Sequence, residues 1–152
     1  MSSPKPIRIA LIGAGIFARE AHLPALLARS DDFEIAAVWS RSRESAQPFA
    51  GLIPYPVDVT TDLDALLARE DIDAVDIVLP INPMPEVVEK ALRAGKHVVS
   101  EKPVTPDVSE GRRLLAVPRR SLWMVAENFR YQQAFHDAAN AVRRGDIGKP
   151  VS

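Results

Sequence analysis

The stretch Ile7 to Glu20, IRIALIGAGIFARE, constrains the chain more than any other. Ile7, Ile9, Ala10, Leu11 and Ile12 form a nearly continuous apolar run, the pattern of a strand buried on both faces of a parallel sheet. The run stops at Gly13. Gly13, Gly15 and Ala18 fall in the spacing G-x-G-x-x-A, with Ile16 and Phe17 between, and a helical pattern follows. In a dinucleotide site Gly13 permits the tight turn, Gly15 lets the backbone approach a pyrophosphate, and Ala18 lets the helix pack closely on the strand. The free N–H groups that open the helix would receive the pyrophosphate. Two other readings fit the same residues: a strand-turn-helix without a ligand, and a secretory signal, because Lys5 and Arg8 precede the apolar run. Against the second, Arg19 and Glu20 stand where a signal peptide needs small residues for cleavage.

The 152 residues suit one domain able to bury about two thirds of its unfolded surface. The chain has no cysteine, which excludes disulfides and thiolate-held metals and fits a reducing compartment. With 19 basic and 20 acidic side chains the net charge is -1, so electrostatics offers nothing to nucleic acid or an anionic membrane. No apolar run approaches the roughly 18 residues of a membrane helix. A cytoplasmic protein acting on a small molecule is the expectation.

The pattern after the glycine turn predicts a helix over Phe17 to Ala28, broken or kinked around His22 to Pro24 because proline removes a donor. Phe33 to Trp39 reads as the second strand. An acid at its end would bind the ribose hydroxyls of NAD, whereas an arginine favours the 2′-phosphate of NADP. The residues there are Ser40, Arg41, Ser42 and Arg43, with no acid before Glu44. Arg41 can offer a planar fork of donors and Ser40 a hydroxyl. NADP(H) is therefore preferred and NAD(H) remains possible; a solvated basic loop is the plainer alternative. Further on the pattern predicts a helix over Glu44 to Phe49, a strand at Tyr55 to Val57, a helix from an N-cap at Thr61 to Glu70, and a strand over Ala74 to Leu79. Carboxyl ends of parallel strands face the ligand crevice, so Leu79, Pro80 and the loop Ile81 to Pro85 should line the cofactor. A helix over Glu86 to Ala94, a strand His97 to Ser100, a helix from Thr105 and Pro106 to Ala116, a strand Leu122 to Ala126 and a helix Gln133 to Arg144 complete the alternation. Phe135, Ala138, Ala139 and Val142 mark one face of that last helix. Ile147 to Ser152 reads as the start of another strand, and Met1 to Pro6 as a loose tail. The fold class is a doubly wound α/β Rossmann fold of about six parallel strands.

The glycine spacing, Ser40-Arg41, Ala94-Gly95-Lys96-His97-Val98, Glu101-Lys102-Pro103, Asn128-x-Arg130 and Gly145-Asp146-Ile147-Gly148, in this order, resemble the glucose-fructose oxidoreductase, inositol dehydrogenase and MocA family. The GIFAR, HLP and AEN stretches are most similar to a fungal branch of NADP-dependent members. The resemblance implies a nicotinamide enzyme transferring hydride to or from a sugar, polyol or related small carbonyl or hydroxyl compound. The lysine role carries over to Lys102: its ammonium can stabilise charge growing on a carbonyl oxygen and donate the proton. The resemblance also implies a cis bond before Pro103, a ribose contact from Glu101, and Asn128, Arg130 and Tyr131 near the cofactor and substrate. Without the motif, Lys102 is a surface lysine before a structural proline, and Arg130 a brace for the last helix. His22 and His97 read as structural, and no metal-ligand spacing links them to His136.

Two departures stand out. The family's histidine in the loop after the fourth strand is replaced here by Met84. Family members also carry a second, open-sheet domain that builds the substrate pocket. On this reading residues 1–126 form the NAD(P)-binding domain and 127–152 a linker helix and the start of that second domain, leaving the chain incomplete for catalysis and prone to associate through apolar surface at Phe129, Tyr131 and Ile147. A homo-oligomer is expected of the full-length form. A nucleotide-binding regulatory module without catalysis, or a fragment needing a partner chain, are the alternatives.

Overall fold

The computed structural model describes residues 5–149. The expected tail lies mainly, and the expected strand at Ile147 to Ser152 partly, outside them; Ile147 itself is in a turn and Gly148 and Lys149 have no regular structure.

Six strands form one parallel sheet in the order β3-β2-β1-β4-β5-β6. They are β1 Ile7–Ile12, β2 Phe33–Trp39, β3 Asp58–Thr60, β4 Ala74–Ile77, β5 His97–Ser100 and β6 Trp123–Val125. The helices are α1 Leu23–Leu27, α2 Arg43–Ala50, α3 Leu63–Leu67, α4 Met84–Arg93, α5 Val108–Leu115 and α6 Gln133–Arg144. Alternate residues of β1 serve the two faces. Ile9 and Leu11 pack with Leu23, Phe49 and Ala46 on the α1 and α2 side. Ala10 and Ile12 pack with Leu66, Val88 and Leu92 on the α3 and α4 side. Each fully buried aliphatic side chain contributes about 1.5–3 kcal/mol of burial free energy, which explains why the central strands read as unbroken apolar runs. The sequence order along the sheet reverses at β1 and β4, and a crevice opens beyond their carboxyl ends.

Several expected boundaries move. Tyr55 to Val57 is not a strand; β3 starts at Asp58, because Pro54 and Pro56 lack the N–H groups a ladder requires. The cap of α3 is Asp62 rather than Thr61, its carboxylate accepting the Ala65 N–H at 2.9 Å. The cap of α5 is likewise Asp107, which accepts from Glu110 N–H at 2.9 Å, and not Thr105. The helix after the glycine turn divides into a π turn, Ala18–His22, and α1. In the π turn the Leu23 N–H reaches the Ala18 carbonyl, one residue farther than in an α-helix. Pro24 follows at once. The apolar face predicted for α6 is present in sequence but buries nothing: Phe135 is 54% exposed.

At the amino ends of the strands, away from the crevice, Arg8 pairs with Glu34 and Asp71, and Arg69 with Asp58 and Asp71. The two guanidiniums hold the Asp71 carboxyl well below the usual carboxylate range. Lys96 is buried in the sheet's lower edge and donates to the Arg69 and Ile72 carbonyls at 2.5 and 2.9 Å.

Candidate functional site

Gly13 leaves β1 at φ +117°, with its N–H on the Trp39 carbonyl at 2.9 Å. A Cβ there would lie 2.2 Å from the Val78 carbonyl oxygen, at the end of β4. Only glycine allows this approach of the two strand ends. Gly15 is different: it is exposed, and no described atom lies within 4 Å of where its Cβ would be. The space it leaves open faces out of the turn, where an anion can meet backbone N–H groups. Ala18 is fully buried against β1 and β2. The three small residues thus have separate structural reasons.

Across the crevice β5 ends at Ser100, and Glu101, Lys102 and Pro103 follow with a cis Lys102–Pro103 bond. Lys102 is exposed, its Nζ 4.9 Å from the centre of the Phe129 ring. The Lys102 N–H donates to Glu101 Oε2 at 3.0 Å. Glu101 is in turn 3.0 Å from His22 Nε2 through Oε1, and His22 Nδ1 is 2.8 Å from Asp76 Oδ2. Burial alone would lower the His22 pKa, but the hydrogen bonds and charges of Asp76 and Glu101 outweigh it and hold it above the ordinary histidine value. The two carboxylates face opposite ring nitrogens and share no centre, and no metal-holding group of His, Asp or Glu occurs among the described residues.

A cavity of about 290 Å³ joins these parts, lined by Gly15, Ile16, Phe17, Ala18, Leu79, Pro80, Glu101 and Lys102. An adjoining groove of about 280 Å³ shares Phe17 and Glu101 and adds His22, Glu127, Asn128 and Tyr131. Most of the residues singled out in the sequence therefore meet around two connected hollows. Ser40, Arg41 and Arg43 stand apart at the carboxyl end of β2, and among the described residues neither arginine makes an ion pair. Arg130 is exposed and lines neither hollow. Met84 lines neither hollow; it is the first residue of α4 and is 1% exposed, in the core. The sequence reading missed the brace formed by Asp76, His22 and Glu101. One sign was available: Asp76 is the lone acid in the buried run AVDIVL, and a buried carboxylate needs a partner.

The profile of GFO_IDH_MocA, an oxidoreductase family with an NAD-binding Rossmann fold, matches residues 7–129. The chain belongs to that family. Dehydrogenase FPY6 of Fusarium mangiferae is 42% identical to it, over 93% of this chain and 43% of the relative. A crystal structure of an oxidoreductase from Thermotoga maritima superposes with a TM-score of 0.90 at 42% identity, over 96% of this chain and 45% of that one. KijD10, a 3-ketoreductase from Actinomadura kijaniata solved with NADP and TDP-benzene, superposes with a TM-score of 0.86 at 36% identity, over 94% and 44%. The chain spans less than half the length of each of these family members. No helix among its described residues is long and apolar enough to cross a membrane.

Proposed function

We propose that this chain is the nucleotide-binding part of an NADP(H)-dependent oxidoreductase that moves hydride to or from a sugar, polyol or related small carbonyl or hydroxyl compound. The observation that carries the reading is the cavity of about 290 Å³ that the glycine turn, Gly15 to Ala18, lines together with Leu79, Pro80, Glu101 and Lys102. The residues present fit the cofactor: the open face at Gly15 and the N–H groups of Ile16 and Phe17 suit the pyrophosphate, Glu101 the nicotinamide ribose, and the unpaired Arg41 with Arg43 and Ser40 the 2′-phosphate. KijD10, which has NADP bound in its crystal structure, supports that choice.

The bound cofactor would supply the hydride. Lys102 holds the proton: as an ammonium it stabilises the negative charge growing on a carbonyl oxygen and donates to it, and in the oxidative direction its amine accepts the proton back. Asn128 and Tyr131, on the adjoining groove, would contact the nicotinamide end and the substrate, with Arg130 nearby. The test is turnover of NADPH with a panel of keto sugars by the full-length enzyme and by Lys102→Met. The variant should retain nucleotide binding and lose about 10²- to 10⁴-fold in kcat, the usual range for a removed acid or base. Wild-type turnover in Lys102→Met would dismiss the acid/base role, and no turnover by the wild type itself would favour a nucleotide-binding module without catalysis.

A further inference from the structure

Of the chain's three histidines, His22 is the one held between two carboxylates among the described residues. Its side chain is 11% exposed, that of Asp76 5% and that of Glu101 12%. A neutral imidazole carries a proton on one nitrogen only, so against two ionised carboxylates one contact would set lone pair against lone pair. An imidazolium donates at both. Charge balance leads to the same state. Asp76 sits in the middle of β4, its second oxygen is buried without a hydrogen-bond partner, and His22 is the cation facing it. Leaving that carboxylate ionised without a counter-charge would cost several kcal/mol. The groups facing the ring are Asp76 from β4, Glu101 from the end of β5, Glu127 across the groove and the edge-on ring of Phe17 at 5.5 Å. No lysine or arginine lines that groove.

The contacts continue past the ring, because Glu101 uses its other oxygen to accept the Lys102 N–H. The geometry points to His22 as a positioning residue: a doubly protonated imidazole, anchored on Asp76, that locks Glu101 and through it the backbone of Lys102 beside the nucleotide cavity. The π turn is what aims the ring there, since it carries His22 from the phosphate-facing glycine turn into contact with strands β4 and β5. The carboxylates' upward pull on the His22 pKa agrees with the charged form. The positioning role rests on the proposed chemistry of Lys102, whereas the bridge itself does not.

Two measurements separate those layers. In the wild-type full-length protein, ¹⁵N spectra of the histidine rings and the Lys102 amide are followed from about pH 5 to 9, the interval in which histidine charges. Both His22 nitrogens should carry protons near neutrality, the ring should titrate above the ordinary histidine range, and the Lys102 amide should shift with the same midpoint. His22→Phe should remove that transition from the amide. In turnover, His22→Phe should lower kcat by roughly 10- to 100-fold, the scale of a reacting group misplaced by about 1 Å, with the KM for NADPH little changed. His22→Gln, which keeps a donor toward Glu101, should recover part of the loss. A neutral single-tautomer His22 at pH 6, a Lys102 amide blind to the ring, or unaltered kcat in a folded His22→Phe would each overturn the inference. If the amide coupling is present and the wild type turns over no nicotinamide substrate, the proposed function fails and the bridge stands. If turnover is normal and the coupling missing, the reverse holds.

Discussion

Gly13 and Gly15 lie two residues apart in one motif, yet replacing each with alanine should damage different properties. At Gly13 the new Cβ would sit 2.2 Å from the Val78 carbonyl oxygen and 3.0 Å from its carbon, with the backbone at φ +117°. The dihedral costs about 1–3 kcal/mol for a residue with a side chain. Forcing apart two packed strand ends costs about 1–3 kcal/mol more. The sum, about 2–6 kcal/mol, is a large share of the 5–15 kcal/mol that holds a typical domain folded. With a urea slope near 2 kcal/mol/M the unfolding midpoint of Gly13→Ala should fall by roughly 1–3 M. Gly15→Ala meets nothing and should stay within about 0.5 kcal/mol of wild type. Its methyl instead occupies the space assigned to the pyrophosphate, and losing hydrogen bonds to a charged group, about 1.5–3 kcal/mol, should raise the NADPH dissociation constant about 10- to 100-fold. Urea denaturation and nucleotide titration by calorimetry measure both variants side by side. Equal destabilisation by the two substitutions, or wild-type affinity in Gly15→Ala, would refute the division of labour and the pyrophosphate site with it.

Arg41→Ala should weaken NADPH by about 1.5–3 kcal/mol and leave NADH nearly unchanged, since the lost hydrogen bonds are to the 2′-phosphate; equal losses for both nucleotides in the same titration would remove that assignment. Lys96→Met strips the donor from the buried carbonyl of Ile72 and the partly buried carbonyl of Arg69, and should lower stability by about 1–3 kcal/mol in urea denaturation without altering nucleotide affinity. Asp71→Asn should cost no more than about 1 kcal/mol at neutral pH, because the ion pairs it loses are solvent-screened. The folded-state pKa of Asp71 is depressed, so its contribution is whole above the ordinary value of 3.8 and fades as pH falls through the folded one; the gap between variant and wild type in a pH series of melts should close below that point.

The strands that the sequence displays best are those buried on both faces. Phe33–Trp39, buried without interruption from Ile35 to Trp39, appears with the expected ends because hydrophobic burial decides them. Where two local signals compete, the side chain with the better hydrogen bond wins: Asp62 and Asp107 outbid Thr61 and Thr105 as caps because a carboxylate is the stronger acceptor for the free N–H. The helical period over Gln133–Arg144 gives the helix but not its partner, since amphipathicity says that a face can be covered and not by what. At the site, the residues of Gly13 to Ala18 and Glu101–Lys102 are legible because each motif is contiguous. The brace is not, because His22, Asp76 and Glu101 come from three separate elements and only the folded sheet brings them together.

That pattern has a physical cause in the topology. Because the strand order runs outward in both directions from β1 and β4, the carboxyl ends of these two strands and of β5 converge on one crevice, although they lie tens of residues apart in the chain. A parallel sheet fixes the strand ends by its ladder, yet nothing in a ladder fixes the loop beyond it. Lys102 lies in such a loop, on the solvent side of Glu101, and its own backbone N–H is tied to that neighbour. A loop so placed needs a tether to the rigid layer, and the route runs through a carboxylate buried in β4 and a histidine displaced by a π turn. Taken one at a time these are local violations: an acid in a core strand and a widened helix turn. They are consistent only as one assembly, which is the form in which a fold can accept locally unfavourable residues for the sake of a site. The same reasoning separates Met84 from the site: buried in the core at the start of α4, it obeys the core's rule and has no hold on the loop.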